Sequence, residues 1–305
     1  MSDSSTAVAS QVVEIAAETA VPGTSASTRL LRWRWLRKNP TLILGALLLV
    51  AMAVISLAAP LIASQDPQAI DPIARLQLAS SEHLFGTDAL GRDVFSRTIW
   101  GGRVSLLVAL SVATAATGIG VILGLLAGFV RSVDAVIMRI MDGLMAIPDI
   151  LLAIALMAVT KAGLGTIIIA ITIPQVPRVV RLVRSLSLIL REQLFVEAAH
   201  AIGTRLPVIL WRHILPNILA PLIVQATFIA ASAVLVEAVL SFLGVGVSPE
   251  IPSWGNMMAE GRNFIAVAFH IILYPGIFLA VTVLAINLMG DGLRDALDPR
   301  LARQL

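Results

Sequence analysis

Arg103-Val-Ser-Leu-Leu-Val-Ala-Leu-Ser-Val-Ala-Thr-Ala-Ala-Thr-Gly-Ile-Gly-Val-Ile-Leu-Gly-Leu-Leu-Ala-Gly-Phe-Val-Arg131 decides the class of this chain. No charge lies between the two arginines, and about 20 apolar residues are enough for a helix to cross a bilayer core. A membrane barrel is built from alternating strands of about ten residues, so a run this long and apolar on every face reads as helix. Within it Gly120, Gly124 and Gly128 recur every four residues. Such a stripe lets a second helix approach closely, although glycine is also simply common in membrane helices.

Five further segments repeat the signal to either side. Thr41 to Ile62 is uncharged and follows Arg29, Arg32, Arg34, Arg37 and Lys38. Val136 to Val159 carries Arg139, Asp142 and Asp149, and Ala162 to Pro177 is short and weakened by Pro174 and Pro177. Ile218 to Leu243 contains Glu237, and Ala268 to Met289 completes the set. Composition agrees, because 58% of the 305 residues are hydrophobic and only 13% are charged, roughly half the charge of a soluble domain. There is no cysteine, which excludes disulfides and thiolate metal sites.

The distribution of Lys and Arg settles whether the short fourth segment spans. With six spans and the N-terminus inside, 16 of the 22 basic residues fall on the cytoplasmic side. Dropping that span would put Arg178, Arg181, Arg184, Arg191, Arg205 and Arg212 outside and reverse the bias, against the positive-inside tendency. Basic residues placed between apolar runs are topology signals, so the pI near 10.1 does not point to nucleic acid. The expectation is an all-α, polytopic membrane protein of six spans with both ends in the cytoplasm. Its segments are a disordered, basic N-terminal stretch (1–39), a first span (40–65), an extracytoplasmic loop (66–102), a core of five spans (103–290) and a cytoplasmic tail (291–305). The core contains a cytoplasmic loop at 178–217. The first 28 residues lack the basic start and apolar centre of a signal peptide.

That loop holds Phe195-Val-Glu-Ala-Ala-His-Ala-Ile-Gly203, then Thr204-Arg-Leu-Pro207 and His213-Ile-Leu-Pro216-Asn217. Locally it reads as two short helices. Phe195, Ala199 and Ile202 share a face, Gly203 ends the first helix, Thr204 and Pro207 start the second, and Pro216 lies near the start of the fifth span. A helix lined by small Ala198, Ala199 and Ala201 suits docking into a groove of a soluble partner. An amphipathic connector lying on the membrane is the competing reading.

Glu197-Ala198-Ala199, Gly203 and Leu215-Pro216, in this order, resemble the EAA motif of permease subunits of bacterial ATP-binding-cassette importers. His213 stands where the general pattern has Ile, a departure that is common in the peptide-transporter branch. Phe85-Gly-Thr-Asp-Ala-Leu-Gly-Arg-Asp-Val-Phe-Ser-Arg97, Pro252-Ser-Trp-Gly-Asn-Met257 and Asn287-Leu-Met-Gly-Asp-Gly-Leu-Arg-Asp-Ala-Leu-Asp-Pro299 resemble the oligopeptide/dipeptide (peptide/nickel) branch of that family. The resemblance covers most of the chain from Arg37 onward. It implies a type I importer permease fold, with a second homologous permease, two ATPase subunits and an extracytoplasmic substrate-binding protein as partners. It also implies that Glu197, Ala198, Ala199, Gly203, Leu215 and Pro216 couple the chain to an ATPase.

Outside the membrane, Asp88, Arg92, Asp93 and Arg97 alternate in sign and predict local ion pairs, with Gly86 and Gly91 permitting turns. The result is a folded cap, either a contact for a delivery protein or purely structural. Trp254 with Gly255 reads as an interfacial anchor.

No catalytic chemistry is visible. Lys38 and Lys161 are the only lysines, and neither sits in a phosphate-cradling loop, so the energy source is another subunit or another gradient, and the resemblance implies an ATPase subunit. His83, His200, His213 and His270 are scattered, with no metal-ligand spacing and no cofactor implied. Asp142, Asp149 and Glu237 within spans keep an ion-gradient-coupled secondary transporter open as a rival, though no inverted repeat is visible. A non-transporting membrane scaffold is a further rival, and the coupling motif argues against both. Peptide is the substrate favoured by resemblance, with nickel complexes, opines and sugars as alternatives.

Overall fold

The computed structural model describes residues 39–160 and 163–297. Residues 1–38, Lys161, Ala162 and the last eight residues, including Pro299 of the final motif, lie outside the described residues. The chain divides into Met1–Pro40, of which Asn39 and Pro40 are described, and Thr41–Leu305.

Eleven α-helices are described: α1 (Pro40–Leu57), α2 (Ala59–Ile62), α3 (Val94–Phe129), α4 (Arg131–Met145), α5 (Asp149–Val159), α6 (Leu164–Arg191), α7 (Leu194–Ala201), α8 (Leu206–Ile209), α9 (Leu215–Phe242), α10 (Trp254–Gly261) and α11 (His270–Leu297). Five helical runs are long and apolar enough to span, and a sixth if the α4–α5 pair counts as one. At about 1.5 Å per residue the 36 residues of α3 reach about 54 Å, so this helix extends well beyond a ~30 Å core.

Helices α3, α6 and α9 form the centre of the bundle, around Val108, Val112, Ile171, Val179, Val183, Ile218 and Ile229. The glycine stripe sets the α3–α6 approach. A Cβ on Gly120 would strike Val179, one on Gly124 would lie 2.6 Å from Val183 Cβ, and one on Gly128 2.7 Å from Ser187 Cβ. Two rows with a four-residue repeat thus interlock, and backbone packing replaces the hydrophobic drive that lipid removes.

The third and fourth segments differ from the sequence reading. The third is not one helix: α4 and α5 meet at 90° across Ala146-Ile147-Pro148. Pro148 offers no N–H, and its ring drives Ile147 away from helical geometry. The fourth runs unbroken through Pro174 and Pro177 to Arg191, about 42 Å in all. In a bundle, neighbouring helices absorb what proline costs an isolated helix. Arg178, Arg181 and Arg184 therefore lie on the helix rather than in a loop. Each meets an acid of the bent pair: Arg178 with Asp149, Arg181 with Asp142 at 2.7 Å, and Arg184 with Asp134 at 2.6 Å.

Candidate functional site

The segment between α6 and α9 is built around a helix terminus. Leu194–Ala201 forms α7, and Gly203 follows it with φ +78°. Its N–H donates to His200 O at 2.9 Å, and the Thr204 N–H donates to Ala199 O at 3.0 Å. These two bonds define a Schellman closure, which places glycine at the left-handed position. A Cβ at Gly203 would meet nothing within 4 Å, so this end of the helix is open to an approaching surface.

The inward face of α7 differs from the expected one. Val196 and Ala199 are buried, Phe195 is half exposed and tilted against His213, and Ile202 is 82% exposed. Of the residues singled out from sequence, Glu197, Ala198, Gly203 and Pro216 are exposed, Leu215 is half buried, and Ala199 supports the helix from beneath. Helix α8 starts from Arg205 rather than Thr204 as its cap, with Pro207 in its first turn.

Sequence reasoning missed the apolar surface beside α7. Leu194 is 82% and Trp211 75% exposed. Pro207, Val208, Trp211, Arg212 and Pro216 line a hollow of about 510 Å³. Exposed apolar patches rimmed by charge mark protein- or membrane-interaction surfaces; a tryptophan in a basic loop was the available signal.

From this surface the chain passes into α9 through one π-helical turn, Leu210–Ile214. The cause is Pro216, which has no N–H for the carbonyl four residues back and would clash with it. The turn widens so that the Leu215 N–H reaches Leu210 O, and the Asn217 amide donates to His213 O at 2.6 Å. Residues Leu206–Phe242 consequently act as one 37-residue helical run.

At the cap, Thr87 and Asp93 form a single antiparallel bridge, and Gly86 and Gly91 take φ near +76° and +77°. A side chain on Gly91 would collide with Asp71 O, and one on Gly86 with Gln77 O and the His270 ring. Asp88 accepts from the backbone N–H of Leu90 and Arg92 and from Arg92 Nε at 2.6 Å. Asp93 does not pair with Arg97. It caps α3 by accepting from Ser96 N at 2.8 Å, and His83 lies 3.1 Å from its other oxygen.

The group that closes the cap is Glu260 of α10. It accepts from Arg92 Nη2 and, at 3.3 Å, from the fully buried Arg97. Burial holds the Glu260 carboxyl above the usual carboxylate range, against the opposing pull of Arg97 and Arg92. Trp254 is no interfacial anchor: it is wholly buried over Gly101 and Gly102 and donates to Thr98 O at 2.9 Å. Glu237 is likewise interior, accepting from Ser105 at 3.1 Å and Ser241 at 2.9 Å, the arrangement of an oriented core carboxylate. Among the described residues no His, Asp and Glu cluster could hold a metal.

Comparison with known proteins places this architecture. Residues 120–303 match the family model described as binding-protein-dependent transport system inner membrane component. Residues 29–79 match the N-terminal TM domain of oligopeptide transport permease C. A probable peptide ABC transporter permease protein of Sinorhizobium fredii is 54% identical over 88% of this chain and 92% of its own length. A dipeptide transport system permease protein of Alkalihalophilus pseudofirmus is 44% identical over 88% of this chain and 89% of its own. Among solved structures, an inward-facing MetNI methionine ABC transporter chain superposes with a TM-score of 0.56 at 20% identity, covering 67% of this chain and 98% of that one, which shows the shared fold. This chain is a multi-pass inner-membrane protein and belongs to the family of inner-membrane components of binding-protein-dependent transport systems.

Proposed function

We propose that the chain is one permease subunit of an ATP-driven importer of dipeptides or oligopeptides, forming half of a translocation path with a second homologous permease. The observation that carries this reading is the exposed α7 surface, followed after the four-residue turn 202–205 by a helical run that continues through the π turn into a spanning helix. Of two separate ATPase subunits, one docks on Glu197, Ala198 and Gly203 and on the apolar rim of Leu194, Ile202 and Trp211, and the other on the second permease. Val196 and Ala199 hold α7 to the bundle, so displacement by ATPase closure passes through the π turn into α9. ATP hydrolysis resides in those partners, and this chain is non-catalytic. An extracytoplasmic binding protein delivers substrate at the cap formed by Gly86, Asp88, Gly91, Arg92, Asp93 and Glu260. Both termini are cytoplasmic, in keeping with five basic residues ahead of α1. Peptide as substrate is supported by the names of the relatives.

The test is co-purification from native membranes with and without Gly203→Arg. Recovery of an ATPase and a second permease with the wild-type chain, and loss of the ATPase alone in the variant, is the expected result. Isolation of the wild-type chain without either partner, under conditions that preserve known complexes, overturns the reading.

A further inference from the structure

In the six-span topology, with Val159 at the outer face, helix α5 begins near the middle of the membrane. Its 11 residues rise about 16 Å, half of a ~30 Å core. Two other helices give the same depth independently. Gln175 lies 11 residues from the start of α6, and Ser232 lies ten residues from the end of α9, each about 15 Å from that terminus. These side chains meet: Gln175 Nε2 donates to Ser232 Oγ at 3.4 Å and lies 3.5 Å from Asp149 Oδ2. Arg178, one turn along α6, donates to the same Asp149 oxygen.

The quartet is open on one side. The side chains of Arg178 and Asp149 are 45% and 30% exposed, while the buried Gln175 Oε1 has no partner. Lipid is a poor cover for this surface, because a charged side chain at the bilayer centre costs at least ~2.5–3.5 kcal/mol. Irregular backbone such as Ala146–Pro148 persists at membrane depth only where protein buries it or water lines it. The same faces of α6 and α9 continue as a hollow of about 410 Å³, lined by Leu182, Pro221, Val224, Gln225, Phe228 and Arg294. The open side therefore leads along a groove rather than into a flat lipid-facing wall.

The geometry points to a mid-membrane substrate-contact site at the α4–α5 break, where Asp149 receives the ammonium and Arg178 the carboxylate of a small zwitterion such as a dipeptide. The two termini are the only charges common to all short unmodified peptides, and a guanidinium fork matches a carboxylate in shape. The inference rests on the permease reading and adds the residues that face the cargo.

The chain has no cysteine, so an introduced cysteine is the single thiol of this subunit, and labelling is read on this subunit by its mass. In the purified permease–ATPase complex reconstituted without binding protein, Phe228→Cys and Met145→Cys are compared with Leu47→Cys on α1. The probe is a charged methanethiosulfonate, which needs a thiolate in water. Labelling of the first two at least about tenfold faster than Leu47→Cys is expected. Ala-Ala is expected to slow labelling of Phe228→Cys, its N-acetylated amide is not, and the protection disappears when Asp149→Asn and Arg178→Gln are added. Equal labelling at all three positions, equal protection or none by the two peptides, or protection that survives the double substitution overturns the site. Absence of an ATPase from the wild-type complex would instead sink the permease reading.

Discussion

Replacing Gly124 and Gly118 by alanine applies one chemical change to one helix with opposite expected outcomes. A Cβ at Gly124 lies 2.6 Å from Val183 Cβ and 2.9 Å from Val180 O, about 1 Å inside ordinary van der Waals separation. The carbonyl cannot rotate aside, so α3 and α6 must part, and overpacking of this kind costs roughly 1–3 kcal/mol. Against that stands the helix-propensity gain of alanine over glycine, about 1 kcal/mol. Gly124→Ala should therefore be neutral to destabilising by about 2 kcal/mol. At Gly118 the new Cβ meets nothing within 4 Å, so only the gain remains, up to about 1 kcal/mol. Apparent melting midpoints of the purified complex in one detergent give the comparison, and Gly124→Leu extends it in the destabilising direction. A Gly124→Ala protein as stable as Gly118→Ala would refute the view that the stripe sets the α3–α6 distance.

Other substitutions probe the surface and the cap. Gly203→Ala should weaken the end of α7 by about 1 kcal/mol and Gly203→Asn by less, because the penalty is left-handed geometry alone; equal ATPase retention by Ala, Asn and Arg variants would count against the closure. Trp211→Ala with Ile202→Ser should release the ATPase from the co-purified complex while leaving the melting midpoint unchanged, and a lowered midpoint would show these residues to be structural. Glu260→Ala leaves buried Arg97 with Asp88, 3.7 Å away, and the Pro67 carbonyl, 3.5 Å away, and should cost roughly 2–3 kcal/mol in a thermal scan. Because the folded cap raises the Glu260 value, the native state binds a proton more readily than the unfolded chain. Its contribution is then full below the ordinary glutamate range and declines as pH rises through the folded value. Glu260→Gln should flatten that decline in a pH series of melting midpoints, and an unaltered slope would refute the assignment.

Features carried by neighbouring residues were legible in the sequence. The apolar runs, the Gly120–Gly124–Gly128 spacing, the Asp88–Arg92 pair and the glycine closing α7 each depend on a window of about ten to twenty residues. What escaped depends on pairing across the chain. Glu260 reaches Arg92 over 168 residues, and Arg184 reaches Asp134 over 50. Nothing in either local window distinguishes these charges from solvated ones. Trp254 was misplaced for the same reason, since only the fold brings Gly101 and Gly102 beneath it. The prolines show the limit of local rules most clearly. Pro174 and Pro177 sit inside a continuous α6, whereas Pro148 turns the chain by 90°. Local propensity disfavours all three equally. The difference is in the surroundings: Pro174 and Pro177 are buried within the bundle, whereas Ala146, Ile147 and Pro148 are exposed. A proline therefore marks where a membrane helix can break, and the packing on either side decides whether it does.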